Sequence, residues 1–330
     1  MPCEEGCLIC DPVFRHKVFT LAKAGAVCTL SVVASVCLTL TNNALMRGGA
    51  VHPTGLVLAH SLASLLSKWR VTAGGLRPSA VAGVTATGWA LLALLSLGGY
   101  VQVALWNLGI ARGASMADFQ LFKLTSPLWS AAVASALLDA RLSGVGWLAC
   151  AASGAGLALG AGVGPGADFG KAVENRFFLA AAALQPMTPM LMNSVNKDQG
   201  LHLRHGAWLW ANVIEVVIAA ALLDAPRAAF ARLDRRAALL LALSSALAVV
   251  LRWTTAKVST FDGGPVLYAI LSPVKAVLAL LVAAALVPRD RSTLDAPKVA
   301  GLVVCAASAT AFVVKGKKMK ADAAPGKKAQ

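Results

Sequence analysis

Four basic residues lie inside long apolar segments, where a cation needs protein, water or an anion around it because hydrocarbon does not solvate charge. They are Lys123, Arg252, Lys257 and Lys275. Glu215 is the one acidic residue that lies clearly at a comparable depth, since Asp118 and Asp262 are nearer to segment ends. Even if every acid pairs with a base, positive charge is in excess. The pattern predicts a cavity that prefers an anionic solute, and phosphate is the common metabolic anion.

Two of these cations also have a purely structural interpretation. Glu215 follows Asn212 by three residues, which places both on one helical face. It is therefore a candidate to neutralise Arg252 or Lys257. Lys257 is also close enough to the end of its segment to reach water. The sequence leaves open whether these two bases bind a solute or only balance Glu215.

The other two lysines have polar neighbours at helical spacing, which extends the candidate site. The neighbours are Gln120 for Lys123, and Tyr268 and Ser272 for Lys275. A structural alternative exists here too, because Lys123 could bind carbonyl groups that Pro127 frees from helix hydrogen bonds. Both readings require the two lysines to face protein rather than lipid.

The composition is that of a polytopic membrane protein. The chain has 330 residues, of which 58% are hydrophobic and 14% charged, whereas soluble proteins average about 25% charged residues. The net charge of +15 is assigned to cytosolic loops and a tail rather than to nucleic-acid binding, since no polar domain presents it. The sequence has no phosphate-binding P-loop, no His/Glu zinc pattern and no nucleophile elbow. We therefore expect no enzyme, cofactor or metal. His52 and His60 lie near loop edges, where we expect them to be solvated.

Ten apolar segments are long enough to cross or nearly cross a bilayer. They are 18–46, 51–68, 80–110, 114–138, 143–163, 177–195, 206–223, 236–260, 264–288 and 298–315. The predicted fold is therefore all-α, with about ten transmembrane helices. The predicted divisions are a cytosolic tail (1–17), a first five-helix repeat (18–163), a linker loop (164–176), a second five-helix repeat (177–315) and a disordered basic tail (316–330).

An internal repeat supports the division into five and five helices. Ser126-Pro127 and the string beginning at Cys150 recur in the same order as Ser272-Pro273 and the string beginning at Cys305. Because each half has an odd number of spans, the halves must have opposite orientation, which places a shared site near the middle of the membrane. A small excess of Lys and Arg on the side of the termini predicts that both termini are cytosolic.

These motifs resemble those of the drug/metabolite transporter superfamily, in its branch of triose-phosphate translocators and nucleotide-sugar transporters. In that branch a fourth-span lysine precedes a proline by four residues, as Lys123 precedes Pro127. A ninth-span proline precedes a lysine by ten residues, as Pro265 precedes Lys275. The string Phe119-Gln120-Leu121 is similar to the Tyr-Gln-Leu-Lys string of nucleotide-sugar carriers.

The resemblance covers most of residues 25–316 and implies an exchanger built from two inverted halves. It implies that the lysines of the fourth and ninth spans, here Lys123 and Lys275, bind the phosphate of the substrate. One departure concerns the residue after the ninth-span lysine, which is usually Arg in sugar-phosphate carriers and is Ala276 here. The eighth-span position that contacts substrate falls on Arg252, whose charge could replace the missing one or bind a different anion.

The implied function is secondary antiport of a phosphorylated metabolite, either a nucleotide sugar against a nucleoside monophosphate or a sugar phosphate against phosphate. The implied partners are that substrate, its counter-substrate and the lipid bilayer. The alternatives are a broad-specificity amine or amino-acid exporter of the same superfamily, and a non-transporting membrane scaffold.

The tail suggests where such a carrier resides. Lys327 and Lys328 match a dilysine retrieval signal, which coat machinery binds at the cytosolic face. With no transit-peptide composition at the N-terminus, this predicts the membrane of the endoplasmic reticulum or Golgi. The plastid envelope is the alternative.

Overall fold

The computed structural model describes residues 12–67, 77, 81–125, 128–129, 131–133, 143–161, 176–187, 191, 195, 205–222, 230, 233–259, 264–286 and 294–316. These residues form an all-helical structure, without strands in the described ranges. The helices are α1 (Pro12–Arg47), α2 (Pro53–Leu66), α3 (Ala86–Ala111), α4 (Met116–Leu124), α5 (Gly144–Gly160), α6 (Arg176–Leu184), α7 (His205–Ala221), α8 (Arg235–Ser259), α9 (Gly264–Leu286) and α10 (Ala296–Gly316).

Each predicted apolar segment overlaps one of these helices. Three stretches are long and apolar enough to cross a membrane by length and composition, namely Ala24–Arg47 in α1, Ala86–Ala111 and Arg235–Thr255. Parts of α2, α5, α7, α9 and α10 are apolar but shorter. The helices are thus compatible with an integral membrane protein. Residues 1–11, most of the linker loop, Pro127 and residues 317–330 lie outside the described residues, and α1 begins at Pro12, inside the predicted tail of residues 1–17.

Most described helices begin at a side chain that accepts hydrogen bonds from the otherwise unpaired first-turn N–H groups. Ser115 accepts from the N–H of Asp118 at 3.0 Å to begin α4, and Ser143 caps α5 in the same way. Asp234 accepts from the N–H of Ala237 at 2.7 Å to begin α8. Each of these caps is a polar residue that precedes an apolar run.

The described helices expose large apolar side chains and bury several polar ones alongside an apolar core. Large apolar side chains are exposed on the outside of the helices, including Leu148 (69% exposed), Leu239 (65%) and Leu281 (58%). Polar side chains such as His60 and Lys275 are buried between helices. An outer surface of this kind is suited to contact with lipid chains.

Many contacts between helices recur when each helix is exchanged for the helix five positions away, but those of α1 with α3, α2 with α3 and α4 with α10 have no counterpart of similar size among the described residues. α1 packs on α8 as α6 packs on α3, and α2 packs on α8 as α7 packs on α3. Helices α4 and α9 contact each other, as do α2 and α7, and α5 and α10. Helices α4 and α9, which carry Lys123 and Lys275, are therefore partners in this pattern.

Helices α5 and α10 cross closely because both present glycine. A Cβ atom added to Gly301 of α10 would lie 2.4 Å from the carbonyl oxygen of Gly156 and 2.6 Å from the nitrogen of Gly160 on α5. The Cys305 thiol donates a hydrogen bond to the carbonyl of Ser153 across the same crossing. Small residues let helices pack backbone to backbone where lipid provides no hydrophobic drive for association.

An aromatic cluster holds α4 in place. Phe119 of α4 packs edge-on against Trp106 of α3 (centroid distance 5.1 Å) and Phe178 of α6 (5.7 Å). Phe178 is fully buried against Gly109, where an added Cβ would lie 2.2 Å from its ring. Since such contacts contribute about 0.5–1.5 kcal/mol each beyond burial, the cluster fixes the helix that carries Lys123.

Candidate functional site

Lys275 is buried in the middle of α9 and reaches α1. Its side chain is 8% exposed, and Nζ donates a hydrogen bond to Oγ of Ser31 at 2.7 Å. Ser31 itself is fully buried. The sequence offered no sign of this pairing, because Ser31 is one of many small polar residues in α1. The hydroxyl accepts from one of the three N–H donors of the ammonium group and fixes its position.

Lys123 lies in the last turn of α4, half-buried, with Nζ 5.5 Å from the centroid of the Phe119 ring. Its helix α4 contacts α9, which carries Lys275, and the two positive charges lie within electrostatic range of each other. Within the described part of the chain, Lys123 makes no hydrogen bond or ion pair. A ring face compensates only part of the lost hydration of an ammonium group. We name Ser31, Lys123 and Lys275 the lysine cluster.

Gln120 lies one turn before Lys123, as predicted, and is 1% exposed. Its amide nitrogen contacts Sδ of Met116 at 3.8 Å, and its oxygen Oε1 has no hydrogen-bond partner among the described residues. A buried amide oxygen without a donor is unfavourable by about 1–3 kcal/mol. The site thus includes an acceptor as well as donors.

Ala276 packs into an apolar cluster with Leu121 and Leu124 of α4, at 2% exposure. This is the position where the resembling sugar-phosphate carriers have Arg. The apolar contact between α4 and α9 occupies the space that a larger, charged side chain would need. The departure from the family pattern is therefore built into the helix packing.

Arg252 belongs to a separate group on α7 and α8. It donates to Oδ1 of Asn212 at 3.1 Å and to Oε1 of Glu215 at 3.2 Å. The Arg252 side chain is 42% exposed and that of Glu215 16%. Glu215 therefore neutralises Arg252, one of the two pairings that the sequence left open. The positive charge of Arg252 is therefore balanced by a carboxylate in this arrangement.

His60 is buried, which corrects the expectation that it is solvated. It is 7% exposed, and its Nε2 lies 2.7 Å from Oγ of Ser244 on α8. Ser244 in turn donates to Oδ1 of Asn42 on α1. Because Asn42 Oδ1 only accepts, the Ser244 hydroxyl is free to accept from His60, which places the imidazole proton on Nε2. The sequence signal for burial was the position of His60, seven residues after the start of the apolar helix α2.

Asp118 does not reach the lysine cluster. It forms an ion pair with Lys298 of α10 at 2.8 Å, with side chains 15% and 16% exposed, and Ser115 Oγ also hydrogen-bonds its carboxylate. The pair lies at the N-terminal ends of α4 and α10. It therefore neutralises a base at the very start of an apolar segment and leaves the cations deeper inside the segments unchanged.

The other residues predicted for the site are exposed, half-buried or outside the described residues. Lys257 is exposed near the end of α8 and Ser272 is half-buried on α9. Tyr268 belongs to α9, but its side chain lies outside the described residues, as do Lys327 and Lys328. A shallow, open groove of about 390 Å³ lies on the surface at the N-terminal end of α8, and none of the predicted residues lines it. No group of three or more His, Cys, Asp or Glu that could hold a metal occurs in the described ranges.

Comparisons with known proteins add no assignment. No family model matches the chain, and no curated protein matches it. The likeness to the drug/metabolite transporter superfamily therefore rests on the short motifs around the lysines, and the site rests on its own geometry.

Proposed function

We propose that this protein is a secondary antiporter that exchanges a phosphorylated metabolite by alternating access, with Lys123 and Lys275 as the phosphate-binding groups. The cargo is a nucleotide sugar exchanged for a nucleoside monophosphate, or a sugar phosphate exchanged for phosphate. The observation that carries the proposal is Lys123, which makes no hydrogen bond or ion pair among the described residues and lies on a helix in contact with the helix of Lys275.

The charges near the two lysines favour an anion. Every acidic residue that the structure describes is engaged elsewhere. Asp234 and Asp295 cap helices, Asp118 pairs with Lys298, and Glu215 pairs with Arg252. Like charges at a membrane-buried site repel each other strongly because little water screens them. A dianionic phosphate placed between the lysines removes that repulsion and supplies acceptors for their N–H donors.

The partners of the described acidic residues also argue against an amine exporter. Binding a cationic amine inside the bundle calls for a carboxylate, and Glu215 is the described acid at that depth. Its carboxylate is held by Arg252, so an amine would have to displace a guanidinium that has two hydrogen-bond partners. The charge that is available for a solute is positive.

The helix contacts support a rocking mechanism. We propose that the chain forms ten transmembrane helices as two inverted five-helix repeats, with α4 and α9 equivalent. Contacts that persist when each helix is exchanged for the fifth one along are those expected of two such halves. The lysines then lie on the paired helices at the interface, where a substrate contacts both halves and closes either side.

Obligatory exchange follows from the cost of an empty site. Without an anion, closing the cavity transfers two like charges from water into a medium of low dielectric constant, which costs several kcal/mol. A bound phosphate offsets that cost, so the loaded carrier changes conformation and the empty one does not. We place this carrier in the endoplasmic reticulum or Golgi membrane with both termini cytosolic, on the basis of the dilysine sequence.

Exchange in proteoliposomes tests the proposal. Vesicles with the purified chain are loaded with nucleoside monophosphates or inorganic phosphate, and uptake of radiolabelled nucleotide sugars and sugar phosphates is measured. We expect counterflow that needs an internal phosphorylated solute. Lys123→Gln and Lys275→Gln should each lower it at least tenfold, whereas Lys123→Arg should retain part of it because the charge remains.

Arg112→Gln is the matched control, since it removes one exposed positive charge from the C-terminal end of α3. It should exchange like the wild type. If both lysine variants transport every tested phosphate compound at the wild-type rate, the site assignment is wrong. If no phosphorylated solute shifts the melting temperature of the wild type or is exchanged, the function itself is wrong and a scaffold becomes the better interpretation.

A further inference from the structure

The N-terminal part of α8 presents two arginines above a row of leucines, and together they line the shallow groove described above. The lining residues are Arg235, Arg236, Leu239, Leu240 and Leu243. Positions 235, 239 and 243 follow each other at intervals of four, as do 236 and 240, so each arginine heads its own row on the helix surface. Charge at one end and hydrocarbon along the rest is the polarity of a phospholipid.

The two arginines lie at the expected boundary of the membrane. The stretch of α8 that is long and apolar enough to span begins at Arg235. From Arg235 to Leu243 the helix rises about 12 Å, which covers a headgroup and the upper part of an acyl chain. Leu239 is 65% exposed and Leu243 50%, while the half-buried Leu240 packs on the protein core and forms the floor.

The local charge calls for an anion. Arg235 and Arg236 are exposed, and neither makes an ion pair or hydrogen bond within the described ranges. The neighbouring Asp234 caps α8 with its carboxylate. It reduces the net charge of the three side chains from +2 to +1. The positive end of the helix dipole adds to this potential. One phosphodiester with a single negative charge matches it.

We propose that this groove is a binding site for an anionic phospholipid of the surrounding bilayer. The phosphate lies between Arg235 and Arg236, and one acyl chain runs along Leu239, Leu240 and Leu243. The leucine lining is the reason to assign a lipid rather than a free phosphate, because a soluble anion gains nothing from three leucines. The site is separate from the lysine cluster, and its existence does not depend on the transport proposed above.

Lipid binding by the purified full-length protein tests the assignment. Retained lipid is counted by native mass spectrometry after equilibration with equal amounts of phosphatidylglycerol and phosphatidylcholine. We expect a preference for phosphatidylglycerol that falls about fivefold for Arg236→Gln and about 25-fold for the Arg235→Gln/Arg236→Gln pair, since each surface arginine contributes about 1 kcal/mol to anionic-lipid attraction. Arg112→Gln, which removes an exposed charge from another helix end, should keep the preference.

Two further arms separate the lipid from its competitors. Leu239→Trp/Leu243→Trp fills the groove and keeps both charges, so it should abolish the preference. If it does not, the anionic lipids are attracted by charge alone and the groove assignment is wrong. Glycerol 3-phosphate should give less than a tenth of the thermal stabilisation that phosphatidylglycerol gives. Equal stabilisation would assign the site to a free phosphate and overturn the proposal, as would equal retention of the two lipids by the wild type.

Discussion

Replacement of Gly301 by alanine should separate helices α5 and α10. The added Cβ would lie 2.4 Å from the carbonyl oxygen of Gly156, 2.6 Å from the nitrogen of Gly160 and 2.7 Å from its Cα, all of them backbone atoms. No side-chain rotation relieves such contacts. An ordinary contact distance begins at 3.4 Å, so the two helices must move apart by about 1 Å.

The cost follows from the size of that displacement. A gap of about 0.5–1 Å removes a quarter to a half of the dispersion energy between the facing surfaces, and overpacked cores lose about 1–3 kcal/mol. Helices α5 and α10 share an extensive contact, so we expect the upper part of this range. The melting temperature should fall by roughly 5 °C, at about 2–4 °C per kcal/mol. Gly160 also touches Leu121 of α4, so exchange should decrease as well.

Thermal unfolding of the purified protein in detergent measures the change. Gly154→Ala is the control, because it lies on α5, the other helix of this crossing, and nothing lies within 4 Å of its added Cβ. Alanine has the higher helix propensity, by about 1 kcal/mol, so the control should melt at or above the wild-type temperature. Equal melting temperatures for Gly301→Ala and Gly154→Ala would refute the close crossing.

Three other substitutions test contacts between helices. Ser31→Ala removes the hydroxyl that holds Lys275, which should raise the KM for exchange at least threefold with little change in melting temperature; an unchanged KM would place Lys275 outside the site. Asp118→Asn breaks the ion pair with Lys298 and should cost about 1–3 kcal/mol of stability, and a double-mutant cycle with Lys298→Gln that shows no coupling would contradict the pairing. His60→Phe leaves the buried hydroxyl of its partner without a donor and should cost about 1–3 kcal/mol; a melting temperature equal to that of wild type would argue for a solvated histidine.

The helices themselves were largely predictable. Long apolar runs bounded by capping residues such as Ser115 and Asp234 determine where a helix begins, since both signals act between residues a few positions apart. The placement of Lys123 and Lys275 within helices follows in the same way. The low charged fraction and the high apolar fraction predicted a membrane protein, and the apolar helices are compatible with one.

The partners of the charged residues were not predictable to the same degree. Lys275 binds Ser31 across 244 positions of sequence and His60 reaches Ser244 across 184, and no local pattern specifies such pairs. Glu215 had two plausible bases within reach, Arg252 and Lys257. Which base it meets depends on the rotation of α8 against α7, to which hydrophobic periodicity is insensitive when a helix is apolar on all sides.

The sequence by itself determined that cations lie inside apolar helices, because residue type and local hydrophobicity are both read directly from the chain. Tertiary packing alone decided which of these cations is neutralised by a carboxylate. The rotation and crossing of the helices bring Glu215 to Arg252 and Asp118 to Lys298, and bring the helix of Lys123 into contact with the helix of Lys275. Whether a charged side chain can bind a solute depends on the residues that pack around it. Those residues come from helices that are far apart in sequence.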